Sequence, residues 1–326
     1  MLNYIIRRVL YAVPIIIGVN LLTTLLFFYV NTPDDMARKI LGEKNVTPAL
    51  VEGWKKEHGY DLPVFVNPAQ NGIGKVTRTI FFSKSVPLAW LDFGKSDRNN
   101  IDIAYEIKDR MWPSLAVALP TFAIGILVNL TLAMGLAFVR GTYLDLWGVV
   151  VCVIMMSVST LFYIIGGQYI FGKLLVLSPI SGYDTGGYAA KFVILPVVVG
   201  VISSVGSGVR FYRTVYLEEL GKDYIRTARA KGLSETAVLF RHGLKNAMIP
   251  VLTNVVVSIP FLFYGSLLME SFFSIPGLGS FTIDAINAQD FAIVRAMVYL
   301  GSILYIAGLI LTDISYTLVD PRITLE

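Results

Sequence analysis

The sequence predicts an all-α integral membrane protein with six transmembrane helices and a long extracytoplasmic loop after the first span. Three observations carry this reading. The 326-residue chain is 55% hydrophobic and 15% charged, with a mean hydropathy of +0.66, whereas a soluble domain of this size carries more charge and less apolar length. Six runs reach the roughly 20 residues needed to cross hydrocarbon: Val9 to Val30, Leu115 to Val139, Leu146 to Phe171, Phe192 to Val209, Ile249 to Met269 and Phe291 to Leu311. The basic residues around them are uneven. Arg7 and Arg8 precede the first span and Arg140 follows the second. The connection between spans four and five holds Arg210, Arg213, Lys222, Arg226, Arg229, Lys231, Arg241 and Lys245, whereas the short connections of the other side hold only Lys173 and Lys191. By the positive-inside rule, both termini and the connection between spans four and five are cytoplasmic.

Taken in order, residues 1–30 form a cytoplasmic N-terminus and the first span. That run lacks a small-x-small cleavage site, so it is expected to remain as an anchor. Residues 31–110 are nearly balanced in charge and belong outside, because loops of this length translocate largely regardless of charge. Turn chemistry at Asn67-Pro68 and Asn71-Gly72 predicts partial order there. Residues 111–317 form a five-span core containing a cytoplasmic segment, 218–250, and residues 318–326 form a cytoplasmic tail. A glycosylation-like triplet, Asn45-Val-Thr47, is followed by Pro48 and reads as chance. The single cysteine, Cys152, lies in an apolar run, which excludes an intrachain disulfide and a Cys-based metal site.

Several function classes fall away. A net charge of +4 and a pI near 9.0 invite a nucleic-acid reading, but the excess is small and sits where a membrane protein meets cytoplasm. Gly167-Gln-Tyr-Ile-Phe-Gly172-Lys173 spells most of a phosphate-binding loop, yet Leu174 replaces the hydroxyl residue that would hold magnesium. Proton- and ion-coupled carriers place ionisable groups inside their spans. Here Arg295 falls in the first turn of span six, Glu270 and Asp313 lie near span ends, and His242 is cytoplasmic. The polar residues within spans, among them Asn20, Thr23, Thr24, Asn129, Thr131, Ser157, Ser159 and Thr253, read as helix-to-helix glue. No catalytic group, metal site or cofactor site of its own is expected. If the chain moves something, a partner supplies the work.

The cytoplasmic segment is where that work can enter. At 100° per residue, Leu217, Leu220, Tyr224 and Ala228 fall in one narrow arc, opposite Lys222, Arg226 and Arg229. Gly232 supplies the left-handed position that stops this helix, and Ser234 with Glu235 caps a second one ending in Arg241 and Lys245. A helix, turn, helix is thus expected between two spans. It can be a basic loop leaning on anionic lipid, or its apolar arc can lie in a groove of a cytoplasmic protein.

Asp223-Tyr-Ile-Arg-Thr-Ala-Arg-Ala-Lys-Gly-Leu-Ser234, followed by Arg241-His-Gly-Leu-Lys-Asn-Ala-Met-Ile-Pro250, closely resembles the coupling segment of ABC-importer permeases of the dipeptide, oligopeptide and nickel class. Agreement extends to Tyr4-Ile-Ile-Arg-Arg8, Gly59-Tyr-Asp-Leu-Pro63, Leu91-Asp-Phe-Gly-Lys-Ser96 and Leu177-Ser-Pro-Ile-Ser-Gly-Tyr183. It continues through Glu270-Ser-Phe-Phe-Ser-Ile-Pro-Gly-Leu-Gly279, Asp284-Ala-Ile286 and Asp320-Pro-Arg-Ile323. The resemblance implies a type I importer permease fold in a bacterial cytoplasmic membrane. It also implies a second homologous permease, two cytoplasmic ATPases that bind the ATP and magnesium, and an extracytoplasmic solute-binding protein. The cargo it implies is peptides or similar solutes, with oligosaccharides and nickel complexes as alternatives. The ATPase-coupling positions it implies are Tyr224, Ala228, Arg229, Ala230, Lys231, Gly232 and Leu233. The general permease signature places an acidic residue where this chain has Arg226, so an acidic contact to the ATPase is not expected. A secondary transporter and a non-transporting membrane scaffold are the rival classes.

Overall fold

A computed structural model describes residues 2–42, 46–184, 186 and 188–319; Asn45 of the triplet and the closing Asp320-Pro-Arg-Ile323 lie outside them. The described residues are helical, with no strand beyond one isolated bridge between Lys95 and Asp102. Five helices are long and apolar enough to cross a membrane, and a bent pair makes a sixth. The chain divides into two compact units, one comprising the residues up to Arg110 with Phe281–Ile306, the other Met111–Ser280 with the residues from Ala307 onward.

In the first unit, span one runs Leu2–Val30. The expected outer loop is a set of short helices. Pro33–Leu41 begins with a capping box in which Thr32 and Asp35 satisfy each other's backbone N–H groups, and Pro48–His58 ends at Gly59 with φ 70°. Their apolar faces meet in a small core of Met36, Trp54, Tyr60, Ile80 and Phe291, with Phe27 and Phe28 beside it. The Trp54 ring stacks on His58 and Tyr60.

The span boundaries differ from expectation. Span two is one helix, Ile103–Phe138, about 54 Å long at 1.5 Å per residue. Asp102 starts it by accepting the Tyr105 N–H at 3.0 Å. Span three, expected as a single run, is Tyr143–Ser157 followed by Thr160–Gly167, which continues as a π-helix over Gln168–Leu174; the two halves meet at 91°. Val158 is extended there and Ser159 takes the N-cap position of the second half. Span four, Ala189–Leu220, outruns its apolar stretch and takes Leu217 and Leu220 into its own last turns.

The second helix of the segment between spans four and five does not end at Lys245. From Glu235 it runs without a break through a π-helical stretch, Val238–Leu244, into Lys245–Leu262, so it is the beginning of span five. Nothing between Leu244 and Ile249 breaks a helix, and cationic residues at Arg241 and Lys245 suit its interior as well as an end. Span five stops at Leu262, before the expected Met269; Gly265, at φ 76°, separates it from a short helix, Leu267–Phe273. A further helix, Leu278–Ala288, precedes span six, Phe291–Val319.

Spans three and four are held together at close range. A Cβ on Gly206 would come within 2.9 Å of the span-three backbone at Cys152 and Met156, so glycine permits the approach. Near the start of span three, the Arg213 guanidinium donates to both oxygens of Asp145, at 3.0 and 2.8 Å. Most hydroxyls expected to link helices turn back on their own: Thr23, Thr24, Thr131, Ser157 and Thr253 each donate to the carbonyl four residues earlier. Asn129 does cross from span two to Ser204 of span four.

Candidate functional site

The segment between spans four and five begins where span four turns at Gly221 and Lys222 and the helix Asp223–Ala230 starts. The predicted arc exists, but the chain itself covers it. Leu220, Ile225 and Ala228 are buried with Tyr216, Val238, Leu239, Ala247 and Ala137, and Leu217 and Tyr224 pack against the same cluster. The cover that the sequence left open, lipid or the groove of a partner, is supplied by the chain. Extending spans four and five beyond their apolar runs places their own side chains over that face. The Tyr216 hydroxyl also donates to the Leu239 carbonyl at 2.8 Å, joining the two helices.

The positions expected to couple separate into two groups. Ala228 is buried and Tyr224 is half-buried; the Tyr224 hydroxyl donates to Glu219, which also takes the Lys222 ammonium at 2.6 Å. Burial pushes the Tyr224 phenol above its ordinary range, and the hydrogen bond to Glu219 adds to the shift. Arg229, Ala230, Lys231, Gly232 and Leu233 are exposed. Gly232 has φ 76° and ends the helix as expected, and Ser234 caps the next by accepting the Ala237 N–H. Arg229 reaches forward to both oxygens of Glu235, which ties the two helices across the turn. Sequence reasoning missed Ile225, Gly243 and Phe240. Ile225 is fully buried, and a Cβ on Gly243 would lie 2.8 Å from Leu220. Phe240 is 55% exposed, and Leu233 is exposed as well. The segment thus carries exposed cations and two exposed apolar side chains above a packed base.

A second feature lies within the same unit. A cavity of about 430 Å³ is bounded by spans two, four and five and by the residues after span five. Its span-two wall includes Ser114, Ala118, Thr121, Gly125 and Asn129. Their three- and four-residue spacing marks one helix face. From first to last they extend about 22 Å at 1.5 Å per residue, most of the roughly 30 Å hydrocarbon thickness, so the cavity is a groove. At one end Glu270, 1% exposed, has no cationic partner among the described residues. Its carboxylate accepts the N–H groups of Ser266, Gly279 and Ser280 at 3.0, 2.7 and 3.2 Å. Two of those donors belong to the first turn of the helix Leu278–Ala288, where a negative charge is favoured. Ser114 accepts the Leu278 N–H at 2.8 Å. Glu270 therefore closes the Gly265–Gly279 loop, and side chains at Gly265 or Gly277 would strike it.

The first unit holds a separate polar cluster. The Tyr60 hydroxyl donates to Asp97 at 2.7 Å, Asp97 also accepts the Ala292 N–H at 3.0 Å, and Ser96 donates to Asp290. Lys84 lies 4.9 Å from the Tyr60 ring centroid, and Arg295 stacks over Phe291. Burial raises the Asp97 carboxyl above its ordinary value, against the hydrogen bond from Tyr60. The cluster fastens Gly59-Tyr60 and Asp92–Asp97 to the start of span six.

Residues 129–325 match the family described as binding-protein-dependent transport system inner membrane component, and residues 1–119 match the corresponding N-terminal family. Among individual proteins, the chain is 32% identical over 324 residues to a putative peptide transport system permease protein of Brucella suis biovar 1, covering 98% of both chains. It is equally similar, at 32% and 98%, to a protein of the same description from Brucella abortus (strain 2308). It is 29% identical over 324 residues to the glutathione transport system permease protein GsiC of Salmonella typhimurium (strain LT2), covering 99% of each. With its apolar spans and a family match over most of its length, the chain belongs to the binding-protein-dependent transport system inner membrane components and is a permease subunit.

Proposed function

We propose that this chain is one permease subunit of an ATP-driven importer of peptides. It pairs with a second, homologous permease and receives two cytoplasmic ATPases, which bind the ATP and magnesium and carry out hydrolysis. An extracytoplasmic solute-binding protein delivers the cargo. Both termini face the cytoplasm. The observation that carries this reading is the helix Asp223–Ala230, whose apolar face is seated on spans four and five while its cationic rim stays exposed. A load applied to such a helix passes into two spans at once. Within the proposed ATPase contact, Arg229, Ala230, Lys231, Gly232 and Leu233 meet the partner, and Tyr224 and Ala228 back them from inside. Phe240 joins the contact, because an exposed aromatic side chain is a ready anchor. The peptide cargo rests on the named functions of the Brucella and Salmonella relatives.

The test uses the assembled transporter. Leu233→Asp with Phe240→Asp is expected to abolish co-purification of the ATPases and reduce peptide uptake at least tenfold, with normal amounts of permease in the membrane. Normal ATPase recruitment and uptake in this double variant would remove the segment from the coupling role. Uptake of a labelled disaccharide in place of peptides by a strain carrying only this system would overturn the cargo.

A further inference from the structure

Span four ends at Leu220, and only Gly221 and Lys222 separate it from the helix Asp223–Ala230. Both are exposed, and a glycine in so short a link leaves the backbone free to swivel. The helix also starts without the usual fastening, since its N-cap, Lys222, makes no side-chain cap bond. Glu219 stands in for it. It is 8% exposed, and its carboxylate takes the Lys222 ammonium at 2.6 Å and the Tyr224 hydroxyl. Its backbone carbonyl accepts the Lys222 N–H as well, at 3.2 Å. The Asn246 side chain, from span five, hydrogen-bonds the same Tyr224 hydroxyl. A buried carboxylate in the last turn of a helix is disfavoured both by desolvation and by the helix dipole. What holds this one there is the pair of donors across the bend.

Arg213, Tyr216 and Glu219 recur every three residues along the end of span four, and each grips a different element. Arg213 holds Asp145 of span three, Tyr216 the Leu239 carbonyl, and Glu219 the start of the next helix. The apolar contacts beneath that helix are non-directional, whereas hydrogen bonds impose an angle. We propose that Glu219 is the positioning residue that fixes the angle between span four and the helix Asp223–Ala230, so that a push on this helix turns span four instead of being absorbed at the Gly221–Lys222 bend. The inference rests on the coupling role proposed above and adds to it the residue through which the push passes.

The experiment uses the assembled transporter and measures ATPase co-purification, ATP hydrolysis and peptide uptake together. Glu219→Leu is expected to keep ATPase recruitment and hydrolysis while lowering uptake per ATP hydrolysed about tenfold, the effect of losing hydrogen bonds to a charged group. Glu219→Gln keeps the shape and one acceptor oxygen and is expected to stay within about threefold of wild type. Tyr224→Phe should lower the same ratio, and adding it to Glu219→Leu should lower it no further, because the two side chains act through one bond. A second measurement reads the angle directly. In a Cys152→Ser background, spin labels at Ser207 and Thr227, both exposed, should give a narrow distance distribution that becomes at least twice as wide in Glu219→Leu. Wild-type uptake per ATP in Glu219→Leu, an unchanged distance distribution, or a fall in uptake matched by an equal fall in ATPase recruitment would overturn the inference while leaving the coupling role intact. That role fails separately, through normal recruitment and uptake in Leu233→Asp with Phe240→Asp, whatever Glu219 does.

Discussion

Gly232 and Gly243 show two different reasons for the same residue. Nothing lies within 4 Å of a Cβ built on Gly232, but its φ of 76° is unfavourable for any side chain. Gly232→Ala should cost about 1 kcal/mol of local stability, seen as faster hydrogen exchange over residues 223–234 with uptake largely kept. Gly232→Pro, whose ring fixes φ near −65°, should displace the turn and abolish uptake. Gly243 has an ordinary backbone and fails for want of space, since Leu220 and Tyr216 stand against it. The first role was legible, because a glycine followed by Leu-Ser after an amphipathic stretch announces a helix stop. The second was not, because the atoms that crowd Gly243 come from a helix more than twenty residues upstream. Asp97 offers a pH test of the outer segment. Its carboxyl is raised above 3.8 by burial, so its contribution to folding is fully present below that value and is lost as pH rises through the raised one. Asp97→Asn should flatten the pH dependence of thermal unfolding above about pH 4, followed by the fluorescence of Trp54 against Tyr60.

Among elements, the six apolar runs located the spans but misjudged where helices start and stop. Hydropathy reports where side chains meet lipid; helix ends depend on caps and tertiary cover. Span two begins at Asp102 because a carboxylate caps it, and spans four and five continue past their apolar runs because each covers the other there. The bend in span three was readable only in part, from Ser157-Val-Ser159-Thr160 in an otherwise apolar stretch. Asp145 and Arg213, 68 residues apart, were not read as a pair, because separate spans give no periodic signal for their meeting. With side chains only 10% and 19% exposed, the pair should resist the loss of one partner poorly. Asp145→Ala is expected to cost about 3–5 kcal/mol. Asp145→Ala with Arg213→Ala should cost less than the sum of the single changes, measured by unfolding of the purified complex in nanodiscs.

For the whole molecule, the distribution of Lys and Arg predicts a sided labelling pattern. A cysteine at Asn71 should react with an impermeant thiol reagent applied outside, and one at Ser234 should react only after the membrane is opened; both positions are exposed. The opposite pattern would invert the orientation and with it the placing of the ATPases. The class of the molecule was legible because empty spans and one amphipathic segment leave few ways to do work. The groove was not, since the polar residues that line it differ from the others of the spans only in what surrounds them.

The packed base under Asp223–Ala230 has a consequence for how such machines change partners. Were the apolar arc itself the mating surface, every alteration in an ATPase would demand a matching alteration in the part that carries force. On the coupling role proposed above, the two tasks fall to different side chains: Leu220, Ile225 and Ala228 are buried between the helix and its spans, while Arg229, Lys231 and Leu233 are exposed. The outer face can be retuned to a new motor without loosening the handle, so chimaeras that graft residues 229–233 from a related permease should redirect ATPase choice while leaving the stability of the membrane domain unchanged.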